Sequence, residues 1–201
     1  MCYKVSPVLL TELEEAILAL KTSGRAKLPR RDPSRVVPDA YPGSRLATIL
    51  PAAGGGFEAA ELTWGFDAPS GGRGKYVYNT RIETALDQAG SGQGLWAGPI
   101  SCGRCLVPVR GFFERNTLGR DKGADQVRFV LAGHGVFLLA GVQEKGRLSV
   151  VTTRPNADVA RFHSRMPLVL GPGESALWLG PEFALLADRS SIRLAAEESS
   201  G

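Results

Sequence analysis

The sequence has little cysteine and histidine and no long hydrophobic run. Only three cysteines and two histidines occur among 201 residues. Three cysteines are too few for a disulfide framework. No apolar run reaches 18 residues and no basic-then-apolar leader is present, so we expect neither a membrane span nor a secretory signal. Three cysteines cannot all pair with one another, and a reducing compartment would keep all of them as thiols. These absences together predict a cytoplasmic protein.

The C-x-x-C motif at residues 102–105 is the candidate metal or redox site. Structural zinc needs four ligands, and only Cys2, His134 and His163 are left to complete a set. A redox pair belongs at the start of a helix, whereas the sequence after Cys105 continues as a strand. We therefore expect structural thiols, with no metal and no cofactor.

Positive charge is concentrated in one stretch of the chain. The net charge is +4 with a pI near 9.1, and residues 21–45 carry seven Lys or Arg against two Asp. Four prolines interrupt this stretch, so it predicts an extended basic loop rather than a helix. Such a loop is either solvated surface or a rim that attracts phosphates.

Short strands dominate the hydrophobic pattern. At 43% hydrophobic residues the chain can form one domain with a real core. A capping box at 11–14 predicts a helix at 12–22 that Gly24 ends. The pattern further predicts glycine-rich loops at 54–56 and 69–74, helices at 82–89, 155–162 and 174–179, strands at 46–50, 57–64, 105–109, 111–114, 148–153 and 168–170, and a hairpin of strands 129–132 and 136–142. We expect one α+β domain on antiparallel sheet over residues 2–195, followed by a polar tail at 196–201.

Cys2 is the residue with the most distinctive chemistry. An initiator methionine before so small a side chain is normally removed, which would leave cysteine at the N-terminus with a thiol and an amine on adjacent carbons. An α-amino group has a pKa of about 7.7–8.0, against about 10.4 for lysine, so more of it is a free nucleophile at neutral pH. Such an amine condenses with an aldehyde, and the neighbouring thiol can close onto the same carbon as a thiazolidine. The alternative is that Cys2 is an ordinary second residue.

Two further residues are candidates for proton transfer. His163 lies between Arg161 and Arg165, whose charges would bring a polyanion close, and imidazole titrates near neutral pH. Glu114 follows an apolar strand, where partial burial would raise its pKa into the range useful for acid–base catalysis. His134 lies in a glycine turn and is expected to be exposed. The alternatives are a packing role for His163 and a solvated strand end for Glu114.

Several ordered blocks of the chain resemble the SOS-response-associated peptidase family, SRAP. They are M-C at 1–2, W-G-F with a following proline at 64–69, N-T-R-I-E-T at 79–84, R-C-L-V-P with G-F-F-E between 104 and 114, L-A-G at 139–141, and H-S-R-M-P at 163–167. Members of this family capture abasic sites in single-stranded DNA through an N-terminal cysteine. The resemblance implies a barrel-like SRAP fold with short flanking helices.

The resemblance also implies roles for individual residues. Cys2 becomes the covalent nucleophile, and Asn79 holds its amine and the sugar in place. His163 shuttles a proton to open the sugar ring, and Glu114 assists loss of water from the carbinolamine.

The same resemblance implies a DNA-binding surface. Arg81 and Arg165 would bind the flanking phosphates, Lys4 would bind DNA in place of a family arginine, and Trp64 would stack on a neighbouring base. The expected partner is single-stranded DNA containing abasic sites, bound by a monomer that associates with damaged DNA in the nucleoid.

The chain departs from the family pattern at several positions. Lys4 replaces an arginine, Asp39 lies in a P-D-A-Y-P segment where the family has Y-N-x-A-P, and Arg115 replaces a tryptophan. A second tryptophan is replaced by glycine-rich sequence. Two other functions stay open: an N-terminal-nucleophile hydrolase in which Cys2 attacks an amide, and a non-catalytic module that binds single-stranded DNA.

Overall fold

The computed structural model describes residues 2–23, 37–68, 76–118 and 126–198. Within these ranges, no helix has the length and apolar character needed to cross a bilayer. The helices are α1 (Leu10–Ser23), α2 (Ile82–Ser91), α3 (Ala97–Cys102), α4 (Ala157–Ala160) and α5 (Ser175–Leu179), with a 3-10 helix at Phe183–Ala187. The strands are β1 (Lys4–Pro7), β2 (Arg45–Pro51), β3 (Phe57–Trp64), β4 (Phe66–Asp67), β5 (Tyr76–Val77), β6 (Asn79–Arg81), β7 (Arg104–Arg115), β8 (Gln126–Leu131), β9 (Phe137–Glu144), β10 (Arg147–Thr153), β11 (Met166–Pro167), β12 (Val169–Leu170) and β13 (Leu194–Glu198).

Five strands close into a barrel. Strand β9 pairs with β10, β10 with β3, β3 with β2, β2 with β7, and β7 again with β9. Four of these pairings are antiparallel. The fifth, between β10 and β3, is a short parallel pairing in which Leu148 lies opposite Trp64. The predicted α+β class with a barrel-like antiparallel sheet is confirmed.

The alternation of side chains along β7 separates two hydrophobic clusters. Cys105, Val107 and Val109 pack on one face in a cluster that contains Trp64. The intervening Leu106 packs on the opposite face, in a cluster formed with residues of α2, α3 and α5. Successive residues of a strand point to opposite faces, so the first cluster fills the barrel and the second lies beneath the helices. Because both faces are covered, β7 is buried along most of its length.

Helix α1 begins two residues earlier than the predicted capping box at 11–14 implies. The backbone N–H of Leu9 donates to Glu12 Oε2 at 2.9 Å, so this carboxylate, and not a threonine hydroxyl, caps the first turn. Glu12 also forms an ion pair with Arg110 of β7 at 2.9 Å. The tertiary contact with β7 accounts for the shift, because it fixes the first turn where Glu12 reaches both partners.

The predicted hairpin of residues 129–132 and 136–142 is wrong. Strand β9 pairs with the first half of β7, at Arg104–Val109, and β8 pairs with the second half, at Phe112–Arg115. The two strands therefore lie one after the other along β7 and do not pair with each other. The predicted strands at 105–109 and 111–114 are one continuous strand, and its twelve residues are long enough to hold both partners.

The remaining predicted elements differ from the structure mainly at their ends. Strand 57–64 and the glycine turn at 54–56 are confirmed. The strand predicted at 46–50 is one residue longer at both ends, and the strand predicted at 148–153 begins one residue earlier. Helices 82–89 and 174–179 are present with shifted ends. The helix predicted at 155–162 is shortened to α4, which Asn156 caps by accepting from the N–H of Val159. The predicted strand at 168–170 is β12, at Val169–Leu170.

Strand β13 pairs with β8 as far as Glu198, three residues into the expected tail. The glycine-rich loop at 69–74 and residues 24–36 of the basic stretch lie outside the described residues.

The side chain of Arg104 joins the ends of α3 and α5. Its guanidinium donates to the carbonyls of Ile100 and Ser101 at the end of α3 and to those of Trp178, Leu179 and Gly180 at the end of α5. It also lies 4.1 Å from the ring centroid of Phe183. Carbonyls at a helix end lack intrahelical partners, so Arg104 satisfies groups that would otherwise be buried without one.

We expect Arg104→Ala to lower the free energy of unfolding by about 2–3 kcal/mol, because hydrogen bonds to a charged group are lost while the carbonyls stay buried. Urea denaturation measures this change. The matched control is Arg193→Ala, at an exposed arginine, which should change stability by no more than about 0.5 kcal/mol. Equal stabilities for the two variants would contradict the role given to Arg104.

Candidate active site

Cys2 is fully buried beside the strand that positions it. Strand β1 pairs with β7, with Lys4 opposite Phe113, and this pairing fixes the start of the chain against the barrel. The side chain of Asn79 donates from Nδ2 to the carbonyl oxygen of Cys2 at 2.8 Å. The other side-chain atom, Asn79 Oδ1, is buried and accepts no hydrogen bond from the residues that the structure describes. An acceptor is therefore available next to the Cys2 backbone.

Burial controls the ionisation of the Cys2 thiol. It raises the pKa well above its ordinary value, and the nearby negative charge of Glu114 raises it further. The thiol is consequently protonated at neutral pH. A reaction that starts from an unassisted thiolate is disfavoured, whereas one in which the thiol reacts second, on an activated carbon, is not.

Glu114 and His163 lie together in the same region. Glu114 is fully buried near the end of β7, and this burial raises its pKa to about 7. The Nδ1 atom of His163 lies 3.6 Å from Glu114 Oε2, and it also contacts the backbone of Arg165, 2.9 Å from the oxygen and 3.1 Å from the nitrogen. Partial burial lowers the pKa of His163, so the imidazole is mostly neutral at pH 7. The structure thus brings together Cys2, Asn79, Glu114 and His163, which are far apart in sequence.

A cleft of about 540 Å³ opens next to these residues. His163 contributes to its lining, and the other prominent side chains are tyrosines and arginines. They are Tyr3, Tyr41, Tyr78, Arg81, Arg115 and Arg165. Sequence reasoning missed all three tyrosines, although Tyr3 is adjacent to Cys2 and Tyr41 lies in the P-D-A-Y-P segment. Aromatic faces beside positive charges are the usual lining of a site for single-stranded nucleic acid.

Trp64 does not lie in the cleft. Its side chain is fully buried, its indole N–H donates to the carbonyl of Tyr78 at 2.9 Å, and the two rings meet edge to face at 6.1 Å. Stacking of Trp64 on a base, as expected from sequence, does not fit this position. Trp64 instead packs against Tyr78, and Tyr78 lines the cleft.

The cations predicted to bind DNA have different environments. Arg165 forms two hydrogen bonds of 2.9 Å with the carboxylate of Glu83 and a third with the carbonyl of Thr152. The hydrogen bonds from Arg165 lower the pKa of Glu83. Arg81 is exposed and has no acidic partner among the described side chains.

Lys4 is held by Asp39, with 3.0 Å between Nζ and Oδ2. Its Nζ also lies 4.0 Å from the ring centroid of Phe113. Two departures from the family pattern, at Lys4 and Asp39, therefore form one ion pair. The pair ties β1 to the segment that precedes β2.

The cysteines of the C-x-x-C motif are separated by their burial. Cys102 is exposed at the end of α3, whereas Cys105 is buried in the barrel, which raises its thiol pKa. Within the described ranges, no group of three His, Cys, Asp or Glu side chains is arranged to hold a metal ion. His134 is exposed, as its glycine turn indicated.

Comparison with known proteins shows the family of this chain. The profile of the family described as SOS response associated peptidase (SRAP) matches residues 1–198. The chain belongs to the SRAP family. Structural comparison agrees in fold: a phage-related protein from Bordetella bronchiseptica aligns with a TM-score of 0.65 at 20% identity, over 100% of this chain and 95% of that one. A protein from Bacteroides thetaiotaomicron aligns with a TM-score of 0.63 at 21% identity, over 98% and 93% of the two chains.

Curated relatives of this SRAP chain include two proteins of Bacillus subtilis. Abasic site processing protein YoqW is 27% identical over 153 residues, which is 70% of this chain and 65% of the relative. Abasic site processing protein YoaM is 28% identical over 134 residues, which is 61% of this chain and 56% of the relative. The match therefore spans less than two thirds of the length of either relative.

Proposed function

We propose that this SRAP protein captures abasic sites in single-stranded DNA by forming a covalent bond through Cys2 after Met1 is removed. The observation that carries the proposal is the convergence of Cys2, Asn79, Glu114 and His163 beside a cleft of tyrosines and arginines. The names of the Bacillus relatives support the same substrate class.

The reaction joins the N-terminal cysteine to the open-chain sugar. The Cys2 amine attacks the C1′ aldehyde carbon to give a carbinolamine, which loses water to give an imine. The Cys2 sulfur then adds to the imine carbon, and its proton moves to the nitrogen, which closes a thiazolidine ring. One water is released and nothing is oxidised or reduced. A protonated thiol suits this order, because it reacts after the amine.

Glu114 supplies acid–base catalysis for loss of water. With a pKa of about 7, it is present in both protonation states near neutral pH, so it can accept a proton from the amine and return one to the departing hydroxyl. Neutral His163, which lines the cleft, exchanges a proton with the sugar oxygen during ring opening. Asn79 Nδ2 holds the Cys2 carbonyl, and its free Oδ1 accepts from the amine.

Intact-mass measurement tests this function. The protein without Met1, mixed with a single-stranded oligonucleotide that carries an abasic site, should gain the mass of the oligonucleotide less one water. The undamaged oligonucleotide should give no adduct. If no adduct forms and a peptide substrate is cleaved, the hydrolase function is correct instead. DNA binding with neither reaction would identify a non-catalytic binding module.

A further inference from the structure

Arg115 is, like Arg81, an exposed cation of the cleft, and of these two it alone also lines a second cavity. It is the last residue of β7, directly after Glu114, and its side chain is exposed. Arg165 is engaged by Glu83, whereas no carboxylate among the described residues lies within ion-pair distance of Arg115. A cation without an acidic partner beside an open cleft is available to an external anion.

A second cavity adjoins the cleft at Arg115. This cavity of about 480 Å³ shares Tyr3, Arg115 and Thr117 with the first, and it extends to Asn116 and Gln126. Arg115 therefore lines both cavities. Together the two cavities offer more volume than a single sugar fills.

Tyr3 holds the Arg115 guanidinium in place. The guanidinium carbon lies 5.1 Å from the centroid of the Tyr3 ring, and the Tyr3 hydroxyl donates to Gln126 Oε1 at 3.2 Å. Stacking on an aromatic face leaves the N–H groups at the guanidinium edge free to donate. Two parallel N–H donors match two oxygens of a phosphate.

We propose that Arg115 binds a backbone phosphate of single-stranded DNA next to the abasic nucleotide, and that the second cavity holds the nucleotide beyond that phosphate. This inference rests on the proposed function. It makes the Arg115–Tyr3 pair a determinant of how many nucleotides on that side of the lesion the protein requires.

Binding to a tetrahydrofuran analogue of the abasic site tests the inference. This analogue has no aldehyde and cannot be crosslinked, so the result does not depend on the covalent chemistry. We expect Arg115→Gln to weaken binding about tenfold, the effect of losing a charge-assisted contact. It should also reduce the slope of log Kd against log salt by about 0.7, the value for one phosphate of a single strand. Arg115→Lys should keep the slope but bind more weakly than the parent, because the fork and the stacking are lost.

Arg193→Gln removes the same charge at an exposed site that lines neither cavity, and it is the matched control. Its slope should equal that of the parent. If Arg115→Gln has the parent slope, or if both variants lose the same amount, the inference is wrong.

A scan with methylphosphonates locates the phosphate. Each phosphate beside the lesion is replaced in turn by this uncharged group. At one position the parent should lose affinity while Arg115→Gln does not, which identifies the contact. An equal loss in both proteins at every position would overturn the proposal. Failure of the parent to form an adduct in the mass measurement would instead count against the proposed function alone.

Discussion

Cys2→Ala should abolish the stable adduct with abasic DNA while leaving an adduct that borohydride can trap. The variant keeps an N-terminal amine, which still forms an imine, but it has no sulfur to close the ring, so the unreduced product hydrolyses. Denaturing gels with and without borohydride measure the two species. The expected loss of unreduced adduct is complete.

The chain supplies a matched control for this variant in Cys102, an exposed free thiol at the end of α3. Cys102→Ala should form the stable adduct like the parent. A protein that retains Met1 should not form the stable adduct, because its amine is one residue away from the Cys2 thiol. An unreduced adduct of Cys2→Ala as stable as that of the parent would exclude the thiazolidine.

Glu114→Gln should slow adduct formation by about 10²- to 10⁴-fold, the usual contribution of a general acid–base group. The parent rate should change with pH around the Glu114 pKa of about 7, and the variant should lose that part of the profile. Single-turnover rates between pH 5 and 9 measure both effects. Glu61→Gln, at an acidic residue paired with Arg45 on the surface, should react like the parent.

The stability of the fold gives a second measurement on Glu114. Because the folded pKa of about 7 exceeds the unfolded value of about 4.3, the native state binds more protons than the unfolded state between these values. This contribution to stability is fully present below about pH 4.3 and is lost as pH rises through 7, by about 4 kcal/mol in total. His163, with a lowered pKa, acts in the opposite direction, so the difference between parent and Glu114→Gln isolates Glu114. A constant difference between pH 5 and pH 8 would contradict the pKa shift.

Local sequence patterns predicted the elements whose signals are local. Strand β3 follows a triple-glycine turn and helix α2 follows a clear apolar period, and both are present in the structure. Strand β1 was not predicted, because its four residues include Pro7 and its partner lies in β7. The hairpin was wrong for a related reason: consecutive strands around a glycine turn look the same whether they pair with each other or with a third strand.

The candidate site was predicted unevenly. Sequence blocks selected Cys2, Asn79, Glu114 and His163, which the structure places together, although their roles stay predictions. Burial was not predictable, because a tryptophan in a strand has the same local pattern whether its ring faces the core or the solvent. Hence the sequence predicts base stacking for Trp64, whereas the aromatic side chains that line the cleft are those of Tyr3, Tyr41 and Tyr78.

The pairing of β1 with β7 has a consequence for the synthesis of the protein. Cys2 leaves the ribosome well before β7, so its strand can pair only when residues as distant as Phe113 have followed, and His163 comes later still. Such non-local pairings form late in folding. An incomplete nascent chain therefore carries Cys2 without Glu114 and His163, the two groups proposed to accelerate its reaction. If the proposed function is correct, we expect rapid adduct formation only from the completed fold, and the rate should fall as the unfolded fraction rises when denaturant is added.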